Sequence, residues 1–184
     1  MTLASAWWST GHQLLARVAF DDLAESGNEE TISRVTDLLR PLMHLTNESQ
    51  HPFVEAAVWA DDIKTWMDTF DHWHFVDTPY VRQDNSKVNI IIDPYNATYA
   101  IPECIITLKR KKTAYNDPLL AKSIDLRFLM HIVGDIHQPL HSVAQYSNAY
   151  PNGDLGGNLV NSEYESEGIG KIWNLHALWD ACVD

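Results

Sequence analysis

The stretch His131-Ile-Val-Gly-Asp135-Ile-His137-Gln-Pro-Leu-His141 decides how the chain is interpreted. On a helix, His131 and Asp135 are four residues apart and share one face. Pro139 ends that helix, so the chain can bring His141 back toward the same face. A lone histidine in an apolar helix would indicate only a buried core residue. Imidazole and carboxylate together are ligands that suit zinc, and these groups in one segment predict a metal site.

Three other segments carry the same residue types. Asn174-Leu-His176-Ala-Leu-Trp-Asp180 repeats the spacing of histidine and aspartate; alone it is typical of an ordinary helix end, but beside the first stretch it predicts a second source of ligands. The other two are Trp59-Ala-Asp61-Asp-Ile-Lys64 and His74-Phe-Val-Asp77. Charged groups in the otherwise apolar helix of Asp61 need a partner or a metal, because burying a lone charge is costly.

The loop Gly153-Asp-Leu-Gly156-Gly157-Asn158 is rich in glycine. Glycine adopts backbone angles that other residues avoid, so this loop can bring the main chain close to a ligand. An ordinary tight turn explains the glycines equally well.

Helical periodicity dominates the chain. Apolar residues recur with helical spacing after His12, at Leu14, Leu15, Val18, Ala19 and Leu23. Further helices are predicted from Glu29 to Arg40, from about Pro52 to Met67, from Pro102 to Tyr115, from Pro118 to about Ile136, and from Asn174 to Ala181. Only 88–92 has the composition of a strand. With no internal repeat or linker, the sequence predicts one all-α domain.

Composition limits the kinds of partner. The chain has 184 residues, with 13 basic and 25 acidic ones, for a net charge of -12. Proteins that hold nucleic acid through its phosphates usually carry a basic face. A polyanionic substrate would therefore need bound divalent cations, although solubility alone also explains the acidity. No apolar run approaches the ~20 residues that span a bilayer, so we expect no membrane association.

The N-terminal residues 1–6 end in Ala-Ser-Ala, the small-residue pattern of a signal-peptidase site. We interpret 1–6 as the stub of a signal peptide and 7–184 as the mature domain, although chance alone can give this tripeptide. Sequons at Asn47 and Asn96 are consistent with a glycoprotein that is secreted or held in a lysosome-like compartment. Cys104 and Cys182 could form a disulfide bond, or each could have lost another partner.

These residues together resemble a known family, the zinc-dependent single-strand-specific nucleases of fungi, plants and protozoa. The matching motifs are Trp7-x3-Gly11-His12, Trp59-Ala-Asp61, His74-Phe-Val-Asp77, the stretch from His131 to His141, the loop from Gly153 to Asn158, and Asn174-Leu-His-x2-Trp-Asp180. They follow the family's order and span nearly all of the chain. Any one motif is weak, whereas the ordered set is highly specific.

The resemblance implies a mainly helical fold of the phospholipase C and P-one nuclease type, with three zinc ions at the base of a cleft. The implied ligands are Asp61, His74, His131 and Asp135 for one zinc ion, and His141, His176 and Asp180 for the second. The third ion would take His12, Asp135 as a shared carboxylate, and the main-chain amine and carbonyl of Trp7. That last contact requires cleavage after Ala6, since only a free α-amino group can chelate in this way.

The resemblance also implies roles around the metals. Asp61, Asp135 and Lys64 would be catalytic, with Lys64 stabilising charge on the phosphate. Phe75 would stack on a nucleobase, Asp77 would bind its edge, and Asn158 would belong to the same substrate site. Stacking contributes ~1–3 kcal/mol per base, and a duplex hides its base faces, so single strands are preferred.

The implied activity is hydrolysis of single-stranded DNA and RNA to 5′-phosphorylated products by a zinc-bridging hydroxide. Nucleotides would be further substrates, through a 3′-nucleotidase activity, and we expect a monomer. His137 is expected to be a supporting residue, and His44, His51 and His72 are expected to have no functional role.

The sequence is compatible with two alternatives. Bacterial zinc phospholipases C share the three-metal arrangement, so the ligands alone do not name the substrate; Phe75, Asp77 and the glycine loop favour nucleic acid. Family chains continue well beyond the last ligand, whereas this one ends four residues after Asp180. A C-terminally truncated zinc-binding protein without turnover is therefore the second alternative.

Overall fold

The described part of the chain is mainly helical, as the sequence predicts. The structure is a computed structural model that describes residues 7–46, 48–82, 87–110, 117–166 and 170–183. The helices are α1 (Ser9–Glu25), α2 (Glu29–Leu39), α3 (Pro52–Glu55), α4 (Trp59–Asp62), α5 (Ala97–Lys109), α6 (Pro118–Asp135), α7 (Pro139–Ser142) and α8 (Leu175–Asp180). The strands are β1 (Thr78–Val81), β2 (Val143–Tyr146), β3 (Asn161–Ser166) and β4 (Gly170–Asn174).

Helix α6 is the central element, and α1, α2, α4 and α5 pack around it. Asp117 caps its start, because its Oδ1 accepts hydrogen bonds from the main-chain nitrogens of Leu119 and Leu120 at 3.0 and 3.1 Å. Phe128 and Ile132 of α6 lie in the main core. Aromatic rings surround Phe128 edge-on, with Trp73 at 5.0 Å between ring centroids. This core fixes the helix that carries His131 and Asp135.

A buried ion pair holds α6 on its other side. Arg127 is fully buried, and its Nε donates to Glu48 Oε1 at 2.7 Å. A terminal nitrogen of the same guanidinium donates to the main-chain oxygen of Leu39 at 2.9 Å. The pair thus ties α6 to the end of α2, one helical turn before His131. Nothing in the sequence pattern distinguishes this arginine from a surface one.

The prediction of one long helix from about Pro52 to Met67 is wrong, because the helix is interrupted. The chain instead forms α3, α4 and a 3₁₀ turn (Ile63–Thr65). Hydrogen bonds from Ala57, Val58 and Trp59 close over three residues rather than four, at 3.2 to 3.4 Å. The nitrogen of Asp61 consequently bonds to the oxygen of Val58 and not to that of Ala57. The oxygen of Ala57 is thereby available to a side chain of the site.

Two other predicted elements also differ from the structure. Residues 88–92 form no strand, and no strand in the described ranges pairs with them, so their isoleucines are exposed; Ile91 is 72% exposed. Helix α5 begins before the predicted Pro102, at Ala97, because the Asn96 side chain accepts a hydrogen bond from the nitrogen of Thr98 and caps the helix there. The predicted end of that helix, 111–115, lies outside the described residues.

The four short strands were not predicted, because elements of four to six residues leave little pattern. Strand β1 pairs parallel with β2, with Thr78 opposite Val143, and β3 and β4 form an antiparallel hairpin. Strand β1 follows Asp77 directly, and β2 begins two residues after His141. The parallel pairing therefore places the segments of His74 and His141 side by side.

Helix α1 forms as predicted, but its apolar residues do not face the core. Leu14 and Val18 are 52% and 59% exposed, whereas Gly11, His12 and Ala16 are buried. Gly11 packs against Trp7, where an added Cβ atom would lie 2.6 Å from Trp7 Cβ, and the absence of a side chain at Gly134 of α6 leaves room for His12. Among the described residues, no helix is both long and apolar enough to cross a membrane.

Of the two alternatives for the cysteines, the structure does not show the bond between Cys104 and Cys182. Cys104 and Cys182 are both free thiols; Cys104 lies buried in the core and Cys182 is exposed after α8. The sequon at Asn96 is also poorly placed for a glycan, because Asn96 is 6% exposed and its Nδ2 donates to the oxygen of Asp93 at 2.9 Å. Asn47 lies outside the described residues.

Candidate metal centre

Histidine and aspartate side chains converge where α6 ends. They form three groups, each with potential ligand atoms within 4.8 Å of one another: His12, Asp61 and His131; His74, His131 and Asp135; and His141, His176 and Asp180. Every side chain that the sequence predicted as a zinc ligand belongs to one of these groups. Residues far apart in the chain thus reach one place.

Asp135 is the centre of the first cluster of side chains. Its Oδ2 lies 2.9 Å from His74 Nδ1 and 3.3 Å from His131 Nε2. His131 Nε2 also lies 3.4 Å from Asp61 Oδ1, and both His131 and Asp135 are fully buried. The spacing of four on α6 therefore puts imidazole and carboxylate on one face, as predicted, and the 3₁₀ turn Asp71–His74 adds the third group.

His12 approaches Asp135 from α1. Its Nε2 lies 3.2 Å from Asp135 Oδ1 and 3.7 Å from Asp61 Oδ2, and its ring stacks on His131 with 3.8 Å between centroids. Gly134 makes this approach feasible, since a Cβ atom at that position would lie only 3.1 Å from His12 Nδ1.

The second cluster joins α7 to α8. The Nε2 atoms of His141 and His176 lie 3.0 Å apart, and His176 Nε2 lies 3.5 Å from Asp180 Oδ2. His141 Nδ1 donates to the main-chain oxygen of His74 at 2.7 Å, so the two clusters are adjacent.

Main-chain oxygens orient the histidine rings. Like His141, His131 and His176 use Nδ1 as the donor, to the oxygens of Ala57 and Gly156 at 2.6 and 2.7 Å. The break after α3 frees the oxygen of Ala57, and the glycine loop supplies that of Gly156. This bond directs each Nε2 toward the cluster, which is the usual arrangement behind histidine ligands of metals.

Gln138 supports the second cluster, a role that was not predicted from the sequence. It is fully buried, its Nε2 donates to Asp180 Oδ1 at 2.6 Å, and its Oε1 accepts from the nitrogen of Leu140 at 2.5 Å. It thereby fixes both Asp180 and the turn that leads to His141. Its position directly before Pro139, between the two clusters, is a sequence signal that could have identified it.

Burial and neighbouring charges shift the protonation of these groups. Considering the protein groups alone, burial lowers the pKa of His74 and His141 to about 4. Burial also disfavours the charged form of His131, but Asp135 and Asp61 outweigh it and raise the pKa of His131 to about 10. Burial raises the pKa of Asp180 to about 8. Groups with lowered and with raised pKa values thus lie together in one buried site, which is typical of functional sites.

The residues present fit a bound divalent cation. Both ring nitrogens of His12 and both carboxylate oxygens of Asp135 are buried, and no described residue forms an aligned hydrogen bond with them. Buried polar atoms without partners are rare and costly, whereas a cation between them would satisfy both. The donors are imidazole nitrogen and carboxylate oxygen, the set that suits zinc.

The residues predicted to act on or bind substrate differ in their burial and in their contacts. Lys64 is 8% exposed, and its Nζ lies 2.8 Å from Asp61 Oδ1, at the edge of the first cluster. Phe75 and Asp77 are half-buried directly after His74. Burial and Asp154 raise the pKa of Asp77. The Asn158 amide donates to the oxygen of Leu155 within its own loop.

Trp7 and His72 lie close to the predicted site residues. Trp7 Nε1 donates to the oxygen of Gly134 at 3.1 Å, so Trp7 lies at the end of α6, while residues 1–6 lie outside the described ranges. His72, expected to have no functional role, bonds to Asp93 through Nδ1 at 2.7 Å and lies 5.7 Å from the Phe75 ring.

Comparison with known proteins agrees with this geometry. The sequence profile of the family described as S1/P1 Nuclease matches residues 7–184. The chain belongs to the S1/P1 nuclease family. It is 29% identical over 183 residues to Nuclease S1 of Aspergillus oryzae (strain ATCC 42149 / RIB 40), covering 97% of this chain and 54% of that protein.

Other S1/P1 nuclease relatives match in the same way. Endonuclease 4 of Arabidopsis thaliana is 27% identical over 194 residues, which is 98% of this chain and 56% of the relative. Nuclease P1 of Penicillium citrinum is 30% identical over 144 residues, which is 74% of this chain and 46% of the relative. The chain thus spans about half the length of the curated relatives that it matches.

Proposed function

We propose that this S1/P1 family chain is a zinc-dependent nuclease that hydrolyses phosphodiester bonds in single-stranded DNA and RNA. The products would carry 5′-phosphates, and 3′-nucleotides would be further substrates. One observation carries the proposal: His and Asp side chains from both halves of the chain meet in a buried cluster whose donors have too few protein partners. The relatives, which are named nucleases and endonucleases, support the choice of reaction.

The proposed ligand sets are those that the family resemblance implies, and their side chains all belong to the three groups described above. One zinc ion would be held by Asp61, His74, His131 and Asp135, and the second by His141, His176 and Asp180. The third would be held by His12, Asp135 and the main-chain amine and carbonyl of Trp7, in a mature domain that spans 7–184. When bound, the zinc ions supply Lewis acidity toward the phosphodiester and toward water. Their charge would also offset the net charge of -12, which otherwise repels a nucleic acid.

The protein groups would orient the reaction. Asp135 and Asp61 hold His131 between them, so this ring keeps one orientation. Lys64 would donate from Nζ to a phosphate oxygen as negative charge develops there, while its contact with Asp61 fixes the position of Nζ. Because Lys64 is almost buried, this interaction is screened little by solvent.

Selection of single strands would depend on the segment after His74. Phe75 would stack on an unpaired base, and Asp77 would accept a hydrogen bond from the edge of that base. The nitrogen of Val76 donates to the oxygen of His141 at 2.7 Å, and the oxygen of Phe75 accepts from Ala97 at 3.0 Å. These bonds support a rigid platform beside the metal centre. Asn158 would contribute to the same site through its loop.

The decisive experiment measures zinc and turnover on secreted protein whose N-terminus is Trp7. We expect about three zinc ions per chain and faster hydrolysis of single-stranded than of double-stranded DNA. His131→Ala should lose bound zinc and activity, because it removes a nitrogen shared by two of the three groups. Phe75→Ala should raise KM with little loss of zinc. His44→Ala, at an exposed site, is the control.

Two results would reject the proposal. Three bound zinc ions without hydrolysis would identify a zinc-binding protein without turnover. Release of phosphocholine from lecithin without release of nucleotides from DNA would identify a phospholipase.

A further inference from the structure

The stretch Lys87-Val-Asn-Ile-Ile-Ile-Asp93 has the composition of a strand, but it pairs with no strand in the described ranges. It forms neither a helix nor a turn. Its three isoleucines are 44%, 72% and 48% exposed. Residues of this kind stabilise a strand by packing against neighbouring strands, and here they have none. The stretch is therefore a potential strand without a partner.

One edge of the stretch is held by its own chain. The nitrogen of Asn89 donates to the main-chain oxygen of Pro151 at 2.8 Å. Main-chain N–H groups alternate in direction along an extended segment, so those of Val88, Ile90 and Ile92 are directed to the opposite edge. No described residue accepts a hydrogen bond from these three nitrogens. An edge with unpaired main-chain groups is a template for another strand.

The charges at the two ends make the stretch complementary to itself. In antiparallel pairing centred on Ile90, Lys87 of one copy lies opposite Asp93 of the other, at both ends of the ribbon. Parallel pairing in register would instead place like charges side by side, which is destabilising. Asp93 is held in place, because its Oδ1 accepts from the nitrogen of Tyr95 and its Oδ2 contacts His72. Its side chain is still 35% exposed, and carboxylate oxygens accept further donors.

The same register pairs apolar side chains between the charged ends. Ile90 lies opposite Ile90 of the other copy, and Val88 lies opposite Ile92. These side chains share one face of an extended strand, because they are two residues apart. Cross-strand pairs of β-branched residues stabilise a sheet. The register that satisfies the charges thus also covers exposed isoleucine.

We infer that residues 87–93 pair as an antiparallel strand with the same residues of a second copy of this chain, in a two-fold symmetric dimer. Such a contact uses the same surface on both copies and therefore closes on itself. Because Pro151 occupies the other edge, association stops at two copies. The dimer does not depend on the proposed nuclease activity, and the monomer expected from the sequence is its dissociated form.

The test measures association of the zinc-loaded chain by sedimentation equilibrium over a range of concentrations. The two strands bury less than the ~1,200 Å² of a stable complex, and each copy carries a net charge of -12, so we expect a weak dimer. Salt at about 0.15 M screens repulsion beyond about 8 Å. A reducing agent prevents the exposed Cys182 from linking two copies.

Exchange of the end charges provides the sharpest variants. Lys87→Glu or Asp93→Lys turns both end pairs from attraction into repulsion, so each should raise the Kd of the dimer about tenfold. An equimolar mixture of the two variants again has opposite charges at both ends. The mixed dimer should therefore regain the Kd of the unchanged chain, which also shows that both variants are folded.

A central variant and its matched control test the register. Ile90→Lys places two like charges on the two-fold axis and should abolish the dimer, whereas Ile106→Lys, at a 38% exposed position on α5, should leave the Kd unchanged. Hydrogen exchange followed by NMR should slow at the N–H groups of Ile90 and Ile92 as the concentration rises. The N–H group of Ile91, on the edge of Pro151, should not change.

Three results would overturn the dimer: a monomer at every concentration, association that Ile90→Lys leaves unchanged, or no rescue in the mixture of folded Lys87→Glu and Asp93→Lys chains. The first result would leave the open edge to a strand of a different protein. Growth beyond two copies would also contradict the inference, because the edge at Pro151 would then be open.

Discussion

Substitution of Gly156 by alanine tests how the glycine loop supports the metal centre. Gly156 has φ +58°, and a Cβ atom there would lie under 3.0 Å from the main-chain oxygen of Leu140. Its own oxygen accepts the Nδ1 hydrogen bond of His176 at 2.7 Å. Alanine would therefore push the loop away from the backbone before His141 and, in the same movement, withdraw the acceptor behind His176.

The expected loss in the free energy of unfolding of Gly156→Ala has two parts, and a matched control variant separates them. The left-handed backbone conformation costs an L-residue ~1–2 kcal/mol, and forced displacement in a packed region adds ~1–3 kcal/mol. Gly27 has a similar φ of +70° but nothing within 4 Å of its potential Cβ atom. Gly27→Ala should therefore show only the backbone cost, and Gly156→Ala should lose about 2–5 kcal/mol in the free energy of unfolding.

Urea denaturation and zinc analysis together measure both effects. Gly156→Ala should also lose the zinc ion assigned to His141, His176 and Asp180, whereas Gly27→Ala should keep its full zinc content. Equal destabilisation of the two variants, with zinc retained in both, would show that the loop does not support the second cluster.

Three further predictions follow from the buried groups. Zinc must displace protons from His131 (pKa about 10) and Asp180 (pKa about 8), so zinc affinity should rise with pH. Calorimetry in buffers of different ionisation enthalpy should find release of about two protons near pH 6.5 and about one near pH 9; a constant value would contradict these pKa shifts. Burial raises the pKa of the Cys104 thiol to about 12, so a thiol reagent at neutral pH should modify Cys182 alone in the folded chain. Arg127→Met should cost ~3–5 kcal/mol in urea denaturation by leaving its buried carboxylate partner unpaired, and a loss below ~1 kcal/mol would show that the ion pair is dispensable.

Helix α6 and its two candidate ligands could be predicted from the sequence, because the spacing of residues within one segment is enough to predict them. Spacing of four residues puts His131 and Asp135 on one helical face whatever surrounds them. Proline at the start of α6 and after its end marks its limits for the same local reason. The ordered motifs then identified the family, and the profile match over 7–184 confirms that resemblance.

Other features depend on contacts between distant segments. The break after α3 frees the oxygen of Ala57 for His131, a partner 74 residues away. The exposed side of α1 could not be predicted, because periodicity shows that a helix has an apolar face but not which face its neighbour covers. Likewise, Arg127 and Gln138 look like ordinary polar residues until their buried partners are known.

The sequence by itself determined the type of chemistry: imidazoles and carboxylates at helical spacing are metal donors in any fold that brings them together. Only the tertiary structure decided how those donors are oriented and what surrounds them. Main-chain oxygens behind His131, His141 and His176 direct the rings, and the glycine loop packs against the backbone of Leu140. Such contacts form between residues tens of positions apart, so their geometry is set by how the helices and strands pack and not by local preference.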